Sequence, residues 1–322
     1  MLALLLVVAP TFAGASACRK CHPAEYQTHA GSRHAAALKP TASRPDLPDL
    51  FNTRPVMERS GVAFSYGIAS NGMTVSIAKG ALRQEAALQW AFGAGAQAIT
   101  PVGVYRGRYF EHRVSWYRAA GHGARTLGHP AEASEALAQA LGITQDAATI
   151  TRCFSCHATG VKRGLHPDGP DLSEMLPGVS CERCHGPGAS HAANPSRVNI
   201  VVRSGTSAKD SVQFCAECHR GPGSVDLAEP ASIRYQPVGL SASRCFAVSG
   251  RLSCLTCHDA HANASLEGES YTARCLGCHA NGGRVIAACG RATRQDCVPC
   301  HMKKQSLFPF LTFTDHRIRV YR

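Results

Sequence analysis

One five-residue pattern, Cys-x-x-Cys-His, occurs seven times in 322 residues, and any fold proposed for the chain has to accommodate all seven copies. They are Cys18/Cys21/His22, Cys153/Cys156/His157, Cys181/Cys184/His185, Cys215/Cys218/His219, Cys254/Cys257/His258, Cys275/Cys278/His279 and Cys297/Cys300/His301. With 16 Cys and 16 His in the chain, independent placement gives about 0.04 occurrences. The repetition is therefore chemical.

Two thiols three positions apart reach the two vinyl groups of one haem and form thioethers, and the adjacent imidazole then lies under the iron. Each copy predicts one covalent haem c, seven in all, with the motif His as proximal ligand. Zinc knuckles or thioredoxin-like dithiols use the same cysteine spacing, but neither explains a His in the next position every time.

Six motifs fall in about 150 residues of Gly-, Pro- and Ser-rich chain without a fixed period, which argues against a strict solenoid. The expected fold class is mostly irregular and α, wrapped on stacked haems, with a small β-rich haem-free subdomain. The haem-free chain from Cys153 onward is expected to be largely unfolded, because a tethered metal cofactor contributes folding energy.

The reading divides the chain into a leader at 1–17, a first haem segment at 18–40, a β-rich insert at 41–130 and a six-haem cytochrome domain at 131–322. The leader, MLALLLVVAPTFAGASA, is an apolar run followed by small residues. Ala13-Gly14-Ala15 and Ala15-Ser16-Ala17 both fit a signal-peptide cleavage site, so export with removal of the leader is expected, to the periplasm or the cell exterior. No later stretch is long and apolar enough to predict a membrane span in the mature chain.

Within the insert, Val62–Tyr66 and Met73–Ala78 flank Asn71-Gly72 as a hairpin. Val102–Tyr105 and the segment from Tyr109 flank Arg106-Gly107 as a second. Glu132–Leu141 reads as a short amphipathic helix ended by Gly142.

The formal charge of +12 invites a nucleic-acid reading. Seven haems would bring about fourteen propionate charges, only partly offset by the ferric cores, and Arg suits paired bonds to carboxylates. No nucleic-acid partner is expected. Fourteen Cys are committed to haem; Cys245 and Cys289 remain, as a disulfide or as thiols.

Nine of the 16 His lie outside the motifs: His29, His34, His112, His122, His129, His166, His191, His261 and His316. They outnumber seven distal positions by two, whereas the Met supply is short, so mainly bis-His iron and low reduction potentials are expected.

The pieces CRKCHPAEYQTHAGSRHA, GVSCERCHGPGASH, LSCLTCHDAH and CVPCHMKK followed by DHR resemble the family of multihaem cytochromes that includes the tetrahaem cytochrome of ammonia oxidisers and the octahaem hydroxylamine oxidoreductases. In that family a His after such a motif ligates a different haem, which the resemblance implies for His34, His191, His261 and His316. His129, in LGHP, is similar to a Gly-His ligand of related cytochromes. His29, His122 and His166 are further distal candidates, and His112, on a strand, reads as structural.

Bis-His iron has no vacant site and transfers electrons. The expected function is an exported seven-haem electron-transfer cytochrome, served by redox partner proteins or extracellular acceptors, and as an extension a homopolymer in which His29 or His34 crosses to the next subunit. The alternative is a multihaem oxidoreductase with one open-site haem acting on a nitrogen or sulfur compound.

Overall fold

The computed structural model describes residues 11–162, 169–281, 284–285 and 296–321. The chain divides into two compact units, Met1–Arg203 and Ser204–Arg322.

The first unit is built on two antiparallel sheets. Strands Val56–Met57, Ala63–Ala69, Gly72–Lys79 and Leu82–Leu88 follow one another in the smaller sheet. Met73, Val75 and Ile77 alternate inward along Gly72–Lys79 and are fully buried, as a period of two requires of a strand with one face on a core. The larger sheet runs Leu38–Pro40, Trp90–Phe92, Ala98–Tyr105, Arg108–His112 and Gly142–Thr144. Val114–Tyr117 pairs with the start of Ala98–Tyr105 and with His122–Arg125. Phe51, Val62, Leu88, Val114 and Leu141 join the three inward residues in one core.

The hairpin at Arg106-Gly107 forms as its sequence predicts, with both residues at positive φ, 51° and 75°. That pairing of angles matches the twist of the flanking strands. The returning strand breaks at Arg113. Its backbone N–H is given to the Leu141 carbonyl (3.0 Å), and its buried guanidinium donates to Glu58 (2.7 Å), Pro130 O (3.1 Å) and Ala131 O (3.2 Å).

The expected helix over Glu132–Leu141 shrinks to Leu137–Ala140. The Ser134 hydroxyl accepts the Ala136 N–H at 3.2 Å and reaches Gln139 Oε1 at 2.8 Å. This local side-chain turn competes with the first helical turn.

A second apolar cluster, Leu38, Phe92, Val102, Ile150, Phe154 and Ala158, joins the larger sheet to the helix Ala147–His157. Asp146 caps that helix by accepting the Thr149 N–H at 2.7 Å. Phe154 meets Trp90, Phe92 and Tyr109 edge-on at 5.6, 5.0 and 5.8 Å, the favoured arrangement of aromatic quadrupoles. The β-rich part thereby holds the helix that carries the second motif.

The second unit contains short helices, Ala208–His219, Gln236–Ser241, Arg244–Ser249, Cys254–Cys257, Gly268–His279 and Val298–His301, and a hairpin of Lys304–Phe308 with Leu311–Thr314. Its buried apolar residues among those described are Val212, Ala216, Ile233, Val238, Leu240 and Leu311. No helix among the described residues is long and apolar enough to cross a membrane.

Candidate haem-attachment sites and axial ligands

Each motif is placed at a helical turn, where Cys-x-x-Cys brings both sulfurs to one side. The first is a bend in which Cys21 and His22 donate their N–H groups to the Cys18 carbonyl at 3.2 and 2.9 Å, followed by Pro23 at the first position of the helix Pro23–Ala30. The second ends Ala147–His157, and the third fills Cys181–His185 behind its Ser180 cap. In the second unit, Ala208–His219 and Gly268–His279 end on their motif histidines, Cys254–Cys257 starts with a Ser253/Thr256 capping box, and Cys297 precedes Val298–His301.

The segment around His34–Ala37 ties the second and third motifs together. Ala37 O lies 3.0 Å from Nδ1 of His157, and His34 O accepts the Val179 N–H at 2.9 Å. Gly178 has φ +82°, and a Cβ there would collide with the Ala35 carbonyl, so glycine is needed for the approach. Thr159 completes the link, its hydroxyl accepting the Ser180 N–H at 2.8 Å and donating to Gly178 O at 3.1 Å.

Motifs also meet through their first cysteines. Cys18 is hydrogen-bonded to Cys181, and burial followed by that neighbour pushes its thiol up to about 11. Cys254 is lowered, chiefly by its hydrogen bond to Cys215. Burial, then the charge of Cys297, pushes Cys275 up to about 11. The Cys297 N–H donates to Thr272 Oγ1 at 3.1 Å, which fixes the seventh motif on the helix of the sixth. The neighbouring pairs are thus first with third, fourth with fifth, and sixth with seventh.

The spacing makes the two cysteines of a motif equivalent attachment points, and the structure distinguishes them. In the first, sixth and seventh motifs the leading cysteine is half-buried while the second, Cys21, Cys278 and Cys300, is exposed. Cys156, Cys184, Cys218 and Cys257 are half-buried like the cysteines that lead their motifs. The Cys184 carbonyl accepts Nε–H of Arg203 at 3.0 Å, and Cys278 lies near enough to Cys245 for its charge to raise the Cys245 thiol, whose main shift comes from burial. The hydrogen bonds Cys18/Cys181, Cys215/Cys254 and Cys275/Cys297 all join leading cysteines.

An imidazole suited to iron gives its Nδ1–H to an oxygen and keeps Nε2 bare; that second bond sets the tautomer and the ring direction. Several rings place Nδ1 against an oxygen in this way. Among motif histidines, His157 faces Ala37 O, His185 faces Val201 O at 2.8 Å and His301 faces Arg319 O at 3.0 Å, all through Nδ1. Among the others, His316 faces Thr314 O at 2.9 Å, His122 faces Gly123 O at 2.8 Å and His261 faces Asp259 Oδ1 at 3.2 Å. Nδ1 of His191 lies 3.0 Å from Ser196 O and 3.1 Å from Asn199 Oδ1. Burial lowers the pKa of His157, His258 and His316, which keeps them neutral, the form that binds metal.

His129 and His112 separate cleanly. His129 is 4% exposed and its Nε2 has no hydrogen-bond partner. The nearest acid, Glu111, is 3.9 Å away, and burial, then Arg113 and Arg125, holds the imidazole down at about 4. A buried bare nitrogen on a neutral ring is costly unless something coordinates it. His112 spends both nitrogens inside the fold, Nδ1 on Leu141 O at 2.7 Å and Nε2 on the Tyr66 hydroxyl at 2.9 Å. It is a core residue.

In the second unit, the rings of His258 and His316 lie 6.3 Å apart between centroids. Metal–imidazole bonds of about 2.0–2.1 Å, plus about 1.1 Å from nitrogen to ring centre on each side, would put two imidazoles held by one metal about 6.2–6.4 Å apart. The donor set therefore fits a bis-imidazole haem iron. His316 also lines a cavity of about 350 Å³ with Tyr235, Asp315 and Arg319. His29 is buried in the first unit. His166 and Cys289 lie outside the described residues, and with Cys289 the choice between a disulfide to Cys245 and two thiols.

Residues 111–186 match the family described as cytochrome c554 and c-prime, and residues 247–284 match the doubled CXXCH motif. The chain is a multihaem c-type cytochrome. The first match takes in the second and third motifs with His112 and His129; the second takes in the fifth and sixth motifs. The cytochrome is similar in fold to the undecahaem cytochrome from the S-layer of Carboxydothermus ferrireducens, at 17% identity and TM-score 0.51 over 86% of this chain and 44% of that one. The outer cell wall cytochrome OcwA is matched at 19% identity and TM-score 0.40, over 65% of this chain and 37% of its own. The chain spans less than half the length of either. No curated protein matches it.

Sequence reasoning named these histidines but missed two features around them. Glu111, beside both His129 and the Cys153 thiol, and the buried Glu182 inside the third motif are invisible to a search for ligand types. An acid inside CERCH was the available signal for Glu182.

Proposed function

We propose that the cytochrome carries seven covalent haems c, one on each motif, with the motif His proximal, and conducts electrons along them outside the cytoplasm. In each motif the leading cysteine takes one vinyl group and the second, Cys21, Cys156, Cys184, Cys218, Cys257, Cys278 or Cys300, takes the other. His316 and His129 are the distal ligands that geometry supports best; His34, His191 and His261 follow from their place after motifs, with His29, His122 and His166 as weaker candidates. The observation that carries the reading is the sevenfold Cys-x-x-Cys-His repeat, supported by the buried Nε2 of His129, which has no hydrogen-bond partner on a ring held neutral by burial.

Haem supplies the one-electron chemistry when bound. The chain's own residues set where each haem is tethered, keep the ligating imidazoles neutral and correctly turned, and hold motif pairs side by side through Cys18/Cys181, Cys215/Cys254 and Cys275/Cys297. Short spacing between tethered cofactors allows electrons to pass without a diffusing carrier.

A location at the cell surface is supported by the likeness in fold to a cytochrome of an S-layer. Partners would then be redox proteins or extracellular acceptors. The extension of this reading is a homopolymer in which His29 or His34 crosses to the next subunit.

The test is the intact mass of the purified holoprotein together with its optical and electron paramagnetic resonance spectra. Seven haem equivalents and seven low-spin ferric haems are expected. A different haem count overturns the attachment scheme, and a high-spin ferric signal at one haem replaces pure electron transfer with an open-site oxidoreductase.

A further inference from the structure

Glu182 sits between the two cysteines of the third motif and is 4% exposed. Its carboxylate is spent on backbone donors. Oε1 accepts the N–H of Ala13 at 2.7 Å and of Gly188 at 2.7 Å, and Oε2 accepts the N–H of Gly14 at 2.8 Å. Gly188 lies six residues along the same segment, but Ala13 and Gly14 come from 169 and 168 positions away.

Three further contacts hold the same strap. The Thr11 carbonyl accepts the Ala189 N–H at 3.3 Å. The Phe12 ring covers Gly160, where a Cβ would lie 2.9 Å from the ring and where φ is +74°. Directly after Gly14 the helix Ala15–Cys18 delivers Cys18 to Cys181, the residue next to Glu182.

A buried carboxylate needs charge-assisted hydrogen bonds to offset its desolvation. Cutting the chain after Ala15 or after Ala17, at either small-residue site, would strip two of three donors from Glu182 and leave a buried carboxyl group beside one N–H. It would also release the segment that seats the first motif.

We propose that Glu182 is the docking site for an N-terminal strap that the mature protein keeps from Gly14 or earlier, and that this clasp sets the first haem-attachment motif against the third. Processing therefore occurs upstream of Ala15. Where the strap ends at Gly14 itself, the Ala13, Phe12 and Thr11 contacts are lost and the new α-ammonium on Oε2 holds the clasp in their place. The consequence for the haems rests on the attachment scheme proposed above; the clasp does not. Glu182 is a positioning residue, acting on the first haem through the strap.

Top-down mass spectrometry of the full chain, produced in a host that exports and matures c-type cytochromes, reads the first residue and the haem number separately. A mature chain starting at Gly14 or earlier is expected, whatever the haem number; a start at Ala15 or later overturns the proposal. A wrong haem count with the expected start would fault the attachment scheme alone.

Hydrogen–deuterium exchange of the holoprotein supplies the second reading. In Glu182→Gln the amide side chain places a donor against the Gly14 N–H, and exchange in residues 15–20 should rise at least tenfold while strands 72–88 stay unchanged. Should that variant fail to fold, a chain with a foreign cleavable leader joined directly before Ala15 leaves the third motif intact and should show the same rise. Wild-type exchange rates in residues 15–20 of either folded variant overturn the clasp.

Discussion

His258 and His316 face each other at 6.3 Å between ring centroids with their planes 38° apart, the spacing of two imidazoles on opposite sides of one metal. One belongs to a haem-attachment motif, and the other lies in the C-terminal TDHR segment. Thr314 O turns the His316 ring through Nδ1, and the His316 carbonyl accepts from the Ser243 hydroxyl at 3.2 Å.

Replacing His316 with Ala is therefore expected to convert one haem equivalent from low-spin to high-spin ferric and to leave the covalent haem count unchanged. Electron paramagnetic resonance of the variant checks it. Added imidazole should restore the low-spin signal, because the missing group is a nitrogen donor and the haem remains tethered; a fully low-spin variant would remove His316 from the ligand set.

His129→Ala tests the first unit in the same way, with an added stability reading. Its Nε2 is buried without a hydrogen-bond partner. If the ring serves only as packing, truncation would cost stability of about 2–5 kcal/mol for a buried side chain and leave every haem spectrum as it was. Ligation instead predicts one new high-spin haem, with a reduction potential displaced from the bis-His range.

His112 offers a pH-dependent prediction that does not involve iron. Burial first, opposed by the Leu141 carbonyl, holds its pKa at about 3 against an ordinary 6.5. The folded protein thus keeps this ring neutral while the unfolded chain takes up a proton below 6.5. Stability from this group is complete above pH 6.5 and falls as pH drops from there towards 3, by up to about 1.4 kcal/mol per pH unit. Thermal unfolding of the first unit at about pH 7 and about pH 5 should show a smaller drop in His112→Asn than in wild type. Tyr66→Phe, which leaves Nε2 unpaired, should cost about 1–3 kcal/mol near neutral pH.

How much of this was legible beforehand follows the range of the interactions. The attachment motifs, the Arg106-Gly107 turn and the inward alternation of Met73, Val75 and Ile77 depend on neighbours a few residues away, and each was readable from the letters alone. The structural role of His112 was also readable from its place on a strand, and Phe110, two residues before it, is buried on the same face. The Glu182 clasp, the break at Arg113 and the pairing of Cys18 with Cys181 join segments far apart, and no local pattern encodes them. The same holds for the difference in exposure between Cys275 and Cys278, or Cys297 and Cys300, which the motif alone makes alike. Glu132–Leu141 failed for a different reason: its apolar spacing suits a helix, but the Ser134 hydroxyl captures the Ala136 N–H first. The candidate ligands were found by counting histidines, whereas ranking them needed to know which nitrogens were already bonded.

The two units should respond oppositely to loss of haem. The sheets of the first unit share a core with Phe51, Met73, Ile77 and Leu88 fully buried, and the antiparallel strands satisfy one another's backbone groups. In the second unit the buried apolar residues among those described are few, and its helices are short, so it is expected to depend on packing against tethered haem. Produced without haem attachment, the chain should keep protease resistance over residues 38–144 and be cleaved readily from Ser204 onward. Limited proteolysis followed by mass mapping distinguishes the cases. Equal resistance of both units in the apo chain would mean that the second folds on polypeptide contacts alone, and the dependence of its stability on tethered haem would have to be abandoned.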